Sequence, residues 1–297
     1  MTQTRTPDTG GRFSDTGGRF SRTGGRFSRT RGRTSRSLSP AAGLGLGVAV
    51  VWFSLLVLIP LAVVVGTAVS GRPQAFWAAL TAPQTLSAIG LTVGIAVGVA
   101  LLNAVLGTVI AWVLVRDRFP GRGVLNVVID IPFALPTIVA GLVLLSLYGP
   151  RSPVGVDVAN TRIAVALAIA FVTLPFVVRT VMPVLEELDV DVEEAASSLG
   201  ASGLATFARV VLPSLAPAIT SGAALSFARG LSEYGSMVLL SGNMPNRTEV
   251  VSVRVLSHIE NGDLTSAAAI ATGMLVIALV VLVALDLLQR RAGGRDS

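Results

Sequence analysis

Residues 194–213 read EAASSLGASGLATFARVVLP, a polar stretch between two apolar segments that are each long enough to cross a bilayer. Apolar residues recur before Gly200 at the spacing of one helix face, which predicts a short amphipathic helix. A glycine at that point commonly ends a helix in the left-handed conformation. Ser202 suits the cap of a second short helix, and Pro213 suits the first turn of the next membrane segment. The stretch therefore predicts a helix–Gly–helix loop with an exposed apolar ridge. The two predicted stripes are Leu188, Val192, Ala195, Ala196 and Leu199, then Leu204, Phe207, Ala208 and Val211.

Negative charge is concentrated just before and inside the first of these helices. Six carboxylates lie within residues 186–194, and each stabilises a nearby helix N-terminus by a few tenths of a kcal/mol. An amphipathic loop lying on the membrane surface would also explain the apolar stripe. Its acidic face would repel anionic lipid, so we favour a loop that binds a protein.

The composition is that of an all-α protein that crosses a membrane several times. Hydrophobic residues make up 52% of the 297 residues, charged residues 13%, and the mean hydropathy is +0.73. Six segments reach the roughly 20 apolar residues that a spanning helix needs. The fifth is interrupted by polar residues, and its sequence is compatible with a re-entrant turn near Glu233–Ser236. The predicted spans are Leu44–Val69, Leu86–Val115, Val124–Tyr148, Ile163–Leu185, Ser214–Leu240 and Leu264–Leu288.

The distribution of arginine predicts the orientation. With six spans, residues 1–40, the Arg116–Arg122 loop, the stretch at 194–213 and the C-terminal tail all lie on one side, and most of the arginine lies there too. The positive-inside rule makes that side the cytoplasm. We therefore expect a multi-pass protein of the bacterial inner membrane with both termini in the cytoplasm.

The chain is predicted to have a tail, a membrane domain and a short C-terminal end, at residues 1–40, 41–291 and 292–297. The tail repeats DTGGRFS from Asp8 and again from Asp15, and its composition predicts disorder. Its nine arginines and two aspartates account for more than the net charge of +6. Mixed Arg, Gly and Phe is also found in RNA-binding segments, and Arg clusters attract anionic lipid. We interpret the tail as a tolerated repeat expansion and expect lipid but no nucleic acid as a partner.

Two residue types are missing, and their absence excludes several kinds of site. The chain has no cysteine, which excludes disulfides, thiolate metal sites and cysteine nucleophiles. It also has no lysine, and the phosphate-binding loop of P-loop ATPases requires one. The lone histidine, His258, is interpreted as a surface residue. We predict no catalytic site, no metal site and no cofactor in this chain.

Charged residues at membrane depth are expensive, and they are usually paired or functional. Arg229 and Glu233 are four residues apart, so they share a helix face. Asp130 and Arg179 lie at comparable depths on the third and fourth spans. We favour ion pairs that hold helices together, and a direct contact of these groups with the substrate is the alternative.

The stretch at 194–213 resembles the EAA loop of ABC-importer permeases. That pattern is EAA, three residues, Gly, nine residues, an aliphatic residue, any residue, and Leu-Pro. Val210 fills the aliphatic position where Ile is usual. The resemblance implies that the loop, residues 186–213, couples to a separate ATPase. The residues that would carry this coupling are Glu194, Ala195, Ala196, Leu199, Gly200, Leu212 and Pro213.

Other segments are similar to the sulfate/thiosulfate branch of these permeases. They include ALPTIVAG at Ala134–Gly141, LPFVVRTVMPVLEELD at Leu174–Asp189 and the segment Phe227–Glu249, which ends GNMPNRTE. Ser232 stands where that family usually has Gly. The resemblance implies an ABC-importer permease fold and a chain that forms half of a translocation path. It also implies a CysW-like second permease, CysA-like ATPase subunits that bind ATP and Mg, and an extracytoplasmic sulfate-binding protein.

Three other functions remain open at this point. A permease for molybdate or another oxyanion would share the EAA loop. A secondary transporter would use an ion gradient, but it usually has more than six spans and gives no reason for the EAA pattern. A scaffold that binds RNA or lipid through its tail would explain residues 1–40 alone.

Overall fold

A computed structural model describes residues 40–70 and 73–293. The chain divides into two compact units, Met1–Val51 and Trp52–Ser297. The described part of the first contributes most of helix α1, and the second contains the helices that follow. Within the described residues every regular element is helical, in agreement with the predicted class. The helices are α1 (Pro40–Phe53), α2 (Ile59–Ser70), α3 (Pro73–Thr81), α4 (Pro83–Arg116), α5 (Arg122–Ala134), α6 (Thr137–Tyr148), α7 (Arg162–Glu187), α8 (Val190–Ser198), α9 (Gly203–Thr206), α10 (Leu212–Leu231), α11 (Gly235–Leu240), α12 (Val251–Glu260) and α13 (Leu264–Gly293).

The predictions for the tail fall on residues 1–39, outside the described part of the chain. Residues 294–297 of the predicted C-terminal end lie outside it as well. The disorder of the repeats therefore stays a prediction.

Within the described residues, five continuous helical stretches are long and apolar enough to cross a membrane, and one bent pair of helices makes a sixth candidate. In the first of them a π-helical turn, Ser54–Leu58, joins α1 to α2. The count agrees with the six predicted spans. The bent pair is α5 and α6, whose axes differ by 118°. The five stretches are Leu44–Ser70, Pro83–Arg116, Arg162–Glu187, Gly203–Leu231 and Leu264–Leu287.

The third predicted span is not one straight helix, and a proline explains the break. A residue that precedes proline is pushed out of the helical region because the proline ring clashes with its backbone. Leu135 precedes Pro136 and has extended backbone angles, φ −87° and ψ 134°. Helix α5 therefore ends at Ala134, and α6 starts in a new direction at Thr137.

The fifth span also differs from its predicted limits. It begins at Gly203, because α9 runs through a π-helical turn at Phe207–Val211 directly into α10. The predicted second helix of the loop is therefore present, but the predicted boundary between it and the membrane span was wrong. Pro213 has no N–H to donate. In the π-helical turn just before it, the N–H of Leu212 donates to the carbonyl of Phe207, five residues earlier in the chain.

The break near the end of the fifth segment was predicted and is present. Helix α10 ends at Leu231 and α11 begins at Gly235. The turn between them, residues 232–234, contains Glu233, which is buried.

The centre of the described membrane domain is formed by α4, α7 and α10, which approach closely through small residues. A Cβ on Gly222 of α10 would lie 2.9 Å from the Cα of Val177 on α7, and one on Gly107 of α4 would lie 2.8 Å from the Val177 Cβ. Asn103 crosses this contact. Its Nδ2 donates to Thr173 Oγ1 (2.8 Å) and to Ser226 Oγ (3.2 Å), so one buried amide joins the three helices.

Candidate functional site

Helix α8 lies within the loop at residues 186–213, and both of its ends are capped. Asp189 accepts a hydrogen bond from the backbone N–H two residues further on (3.1 Å). At the other end the N–H of Gly200 bonds the Ser197 carbonyl (2.9 Å), and the N–H of Ala201 bonds the Ala196 carbonyl (3.1 Å). These two bonds form a Schellman motif, which requires a left-handed residue. Gly200 has φ 86°, as the sequence predicts.

The turn after α8 presents two leucines to solvent. Ser202 caps α9 as predicted, accepting a hydrogen bond from the N–H of Ala205 (3.3 Å). Leu199 is 90% exposed and Leu204 is 80% exposed. Exposed apolar side chains that form a contiguous patch are typical of a surface that binds a partner. The predicted exposed apolar ridge is therefore present in part, with these two residues at its tip.

Not every residue of the two predicted stripes belongs to the ridge. Leu188 caps the end of α7 and packs against a buried cluster, so it is not part of α8. Glu186 and Glu187 end α7 and do not start α8. The prediction was wrong here because α7 continues two residues beyond Leu185, the last residue of the predicted fourth span.

The second stripe is divided between the surface and the core. Val211 is fully buried, and Phe207 packs against the same buried cluster, whereas Ala208 is exposed. The Phe207 ring meets the Trp112 ring of α4 edge to face, with centroids 5.2 Å apart. This half of the loop is therefore attached to the end of α4.

Arg116, the last residue of α4, attaches the other half. Its Nε (3.0 Å) and Nη2 (2.7 Å) both donate to Oε1 of Glu193 on α8, and Nη2 also donates to the Leu188 carbonyl (3.0 Å). The guanidinium lies 5.9 Å from the centre of the Trp112 ring. Sequence reasoning used Arg116 only as a marker of orientation. The acidic run at 186–194 was the one signal that a cation would be needed beside it.

The residues of the EAA pattern all lie at or near the surface. Glu194 and Ala195 are exposed, and Ala196 is half-buried. Leu212 and Pro213 are also exposed and form the first turn of α10. The carboxylate that pairs with α4 is that of Glu193, so the neighbouring Glu194 remains available to a partner.

The predicted contact between the third and fourth spans is present. Arg179 donates through Nε (2.8 Å) and Nη2 (2.5 Å) to the two carboxylate oxygens of Asp130, and through Nη2 to the Asn126 carbonyl (3.1 Å). This forked arrangement joins α5 to α7. It leaves few guanidinium donors for any other group.

The predicted contact between Arg229 and Glu233 is also present, with Nη2 2.8 Å from Oε2. The other carboxylate oxygen of Glu233 accepts two hydrogen bonds from Ser236, one from its N–H (3.0 Å) and one from its hydroxyl (2.8 Å). Ser252 of α12 donates to the Glu233 carbonyl (2.7 Å). Glu233 therefore holds the turn between α10 and α11 together.

Sequence reasoning missed the close crossing of α6 and α11. A Cβ on Gly141 would lie 2.8 Å from the Cα of Ser236, and one on Gly235 would lie 2.8 Å from the backbone nitrogen of Ile138. The two helices touch backbone to backbone at these glycines. The AG and YG pairs were visible in the sequence, but glycine is common in membrane helices and gave no specific signal.

His258 lies in the last turn of α12, with Nδ1 3.4 Å from Oδ2 of Asp263. Among the described residues no group of three or more histidine, cysteine or acidic residues is arranged to hold a metal ion.

Comparisons with known proteins identify the family. A family model described as "Binding-protein-dependent transport system inner membrane component" matches residues 103–294. The sulfate transport system permease protein CysT of Escherichia coli (strain K12) is 40% identical over 263 residues, which cover 86% of this chain and 95% of the relative. CysT of Synechocystis sp. is 40% identical over 250 residues, which cover 82% of this chain and 87% of that relative.

Solved structures with the same fold are more distant in sequence. One is a bacterial alginate ABC transporter in complex with an alginate pentasaccharide-bound periplasmic protein. Its TM-score is 0.70 at 16% sequence identity, and the match covers 84% of this chain and 94% of the transporter chain. The MetNI methionine ABC transporter has a TM-score of 0.55 at 17% sequence identity, and the match covers 70% of this chain and 95% of the MetNI chain. With the family match and the CysT identities, the chain belongs to the binding-protein-dependent transport system inner membrane components, the permease subunits of ABC importers.

Proposed function

We propose that this chain is the permease subunit of an ATP-driven sulfate/thiosulfate importer in the bacterial inner membrane. It forms half of the translocation path and couples to a separate ATPase through the loop at 186–213. The observation that carries the proposal is the capped, exposed tip of that loop in a chain 40% identical to CysT. The distribution of arginine supports placing both termini, and therefore the loop, in the cytoplasm.

The ATPase partner binds the tip of the loop. Leu199 and Leu204 enter an apolar groove of that subunit, and the exposed Glu194 contacts its polar rim. The left-handed Gly200 sets the angle between α8 and α9, so it determines whether both leucines reach the groove together. ATP and Mg bind to the CysA-like partner, which supplies the phosphate-binding lysine that this chain does not contain.

The path is completed by other chains. A CysW-like permease encloses the other half, and a sulfate-binding protein delivers the anion to the outer face. ATP brings the ATPase subunits together, the loops move with them, and the spans turn from inward-facing to outward-facing. Hydrolysis then restores the starting state.

The intramembrane ion pairs act as structural supports in this proposal. Arg179 has both Asp130 oxygens and the Asn126 carbonyl as partners, and Arg229 faces Glu233. An arginine whose charge is already matched holds helices without trapping a dianion that must leave the path again.

Reconstitution tests the function. Proteoliposomes that contain this chain with CysW-like, CysA-like and sulfate-binding partners should take up labelled sulfate only when ATP is present on the ATPase side. Excess thiosulfate should compete, and molybdate should not. Uptake driven by an ion gradient without ATP would contradict the proposal, and preferential competition by molybdate would change the substrate.

The docking surface is tested in the same vesicles. Leu199→Asp and Leu204→Asp should each release the ATPase and abolish uptake, because each puts a charge into an apolar contact. Val154→Asp is the matched control, since Val154 is an exposed apolar residue in the loop between α6 and α7. Normal ATPase binding by both leucine variants would place the docking surface elsewhere.

A further inference from the structure

Helix α8, the first helix of the coupling loop (residues 186–213), has little apolar packing of its own to transmit a push. None of the nine residues of α8 is buried, and Val190 and Val192 are both 46% exposed. A helix of nine residues is also too short to be stable by itself. Its position must therefore be fixed by contacts with a neighbouring element.

Arg116 provides such a contact, and the contact is sheltered. The side chain of Arg116 is 15% exposed and that of Glu193 is 18% exposed. Water and salt screen an ion pair in such a position far less than one on the open surface. The bond from Arg116 to the Leu188 carbonyl fixes the turn that leads into α8 as well.

The end of α4 holds both halves of the loop. Arg116 donates hydrogen bonds to Glu193 of α8. Trp112 lies one turn earlier on α4 and packs on Phe207 at the start of the π-helical turn. The guanidinium and the indole also contact each other. A displacement of α8 or of the start of the π-helical turn relative to α4 would therefore strain these contacts.

Helix α4 carries the displacement into the membrane domain. It is a single helix of 34 residues, and Asn103 lies about 20 Å from Arg116 along it at roughly 1.5 Å per residue. There Asn103 is hydrogen-bonded to Thr173 of α7 and Ser226 of α10. One rigid element thus connects the loop to the junction of the three central helices.

We propose that Arg116 is a positioning residue that couples the loop to α4, with Glu193 as its partner. The inference rests on the proposed function, because it names the link through which the ATPase movement reaches the spans. It assigns the link to Glu193, which precedes the EAA pattern, and not to the exposed Glu194. A structural role alone would change the amount of folded protein, whereas this role changes the amount of sulfate moved per ATP.

The test uses the full reconstituted transporter. Arg116→Gln and Glu193→Gln should keep the ATPase bound and hydrolysing, because the leucine tip is untouched. Sulfate uptake per ATP hydrolysed should fall roughly five- to tenfold, the lower end of the range for an ordinary coupling between two sites. Asp191→Asn is the control. Asp191 lies in the first turn of the same helix, and its carboxylate forms no ion pair among the described residues. Its uptake per ATP should match the unmodified chain.

A second variant keeps the test decisive if the first ones fold poorly. The chain has no cysteine, so Arg116→Cys with Glu193→Cys introduces a single addressable pair. Uptake per ATP should be low in the reduced protein and should recover when a flexible bis-maleimide, which adds one thiol at each end, joins the two positions. An unchanged ratio in the glutamine variants, or in the reduced cysteine pair, would overturn the proposal. Absence of ATP-driven uptake by the unmodified chain would instead refute the proposed function.

Discussion

Arg229 and Glu233 form an ion pair whose two members differ sharply in exposure. Nη2 of Arg229 lies 2.8 Å from Oε2 of Glu233, but 29% of the arginine side chain is exposed and only 1% of the glutamate side chain. Ser236 fixes the second carboxylate oxygen from both its N–H and its hydroxyl. The glutamate is therefore the fixed centre of the turn, and the arginine neutralises it from one side.

This asymmetry predicts unequal effects of removing each charge. Arg229→Ala leaves a buried carboxylate without its cation and should destabilise the protein at the lower end of the roughly 3–5 kcal/mol expected for a broken buried pair. Glu233→Gln keeps an oxygen for Ser236 and leaves the arginine free to turn toward water, so its cost should be smaller. Thermal unfolding in detergent and the yield of folded protein measure both effects.

The double variant separates a structural pair from a substrate contact. Arg229→Met combined with Glu233→Gln should recover part of the stability lost in Arg229→Ala, because no unmatched charge remains. Arg151→Ala, at an exposed arginine outside the spans, should change neither stability nor uptake. Abundant, stable Arg229→Ala protein with poor uptake would identify the arginine as an anion ligand instead.

Gly200 and Gly203 allow the effect of backbone conformation to be isolated. Nothing lies within 4 Å of a Cβ built at either position, but only Gly200 has a positive φ. Gly200→Ala should cost about 1 kcal/mol and Gly200→Val more, and both should lower ATPase binding and uptake. Gly203→Ala should be neutral or slightly stabilising, because alanine is favoured over glycine in a helix.

Asparagine refines this prediction, since it tolerates the left-handed region better than other residues with a side chain. Gly200→Asn should retain more uptake than Gly200→Ala at equal protein level. Equal uptake by the glycine, asparagine and valine forms would mean that the angle between α8 and α9 is irrelevant to coupling.

The sequence was most informative where one residue acts on its own neighbours. The left-handed turn at Gly200, the cap at Ser202 and the pair of Arg229 with Glu233 all depend on residues within a few positions, and each is present. Asp130 with Arg179 was the one long-range contact predicted, because few charges lie at membrane depth and these two had matching depths.

Other contacts depend on tertiary packing that no local pattern encodes. Arg116 and Glu193 are 77 residues apart, and Asn103 and Ser226 are 123 apart. A cation at the end of a span predicts an orientation, but it does not say which loop folds back to meet it. The bend between α5 and α6 had a local cause in Pro136, but the sequence did not predict its size of 118°.

The crossing of α6 and α11 makes a prediction about volume. Gly141→Ala and Gly235→Ala would each place a methyl against backbone atoms that cannot move aside, so each should destabilise the protein by about 1–3 kcal/mol. Gly94→Ala is the matched control in α4, where nothing lies within 4 Å of a Cβ. Thermal unfolding in detergent distinguishes them, and equal melting temperatures for all three variants would contradict a backbone contact.

Asp263 makes the stability of the start of α13 depend on pH. Hydrogen bonds from the side chain and the backbone N–H of Ser266 lower the pKa of Asp263 below its ordinary value, with a smaller contribution from His258. A group whose pKa is lowered by folding stabilises the protein above its unfolded pKa and loses that effect as the pH falls through the folded value.

Asp263→Asn keeps an oxygen for Ser266 but does not titrate. The melting temperature of the unmodified chain should therefore exceed that of Asp263→Asn between pH 5 and pH 8, and the difference should shrink below about pH 4. The same comparison in a His258→Gln background isolates the contribution of Ser266, because His258 Nδ1 lies 3.4 Å from the carboxylate. A difference that stayed constant down to pH 3 would show that the charge of Asp263 does not stabilise the helix.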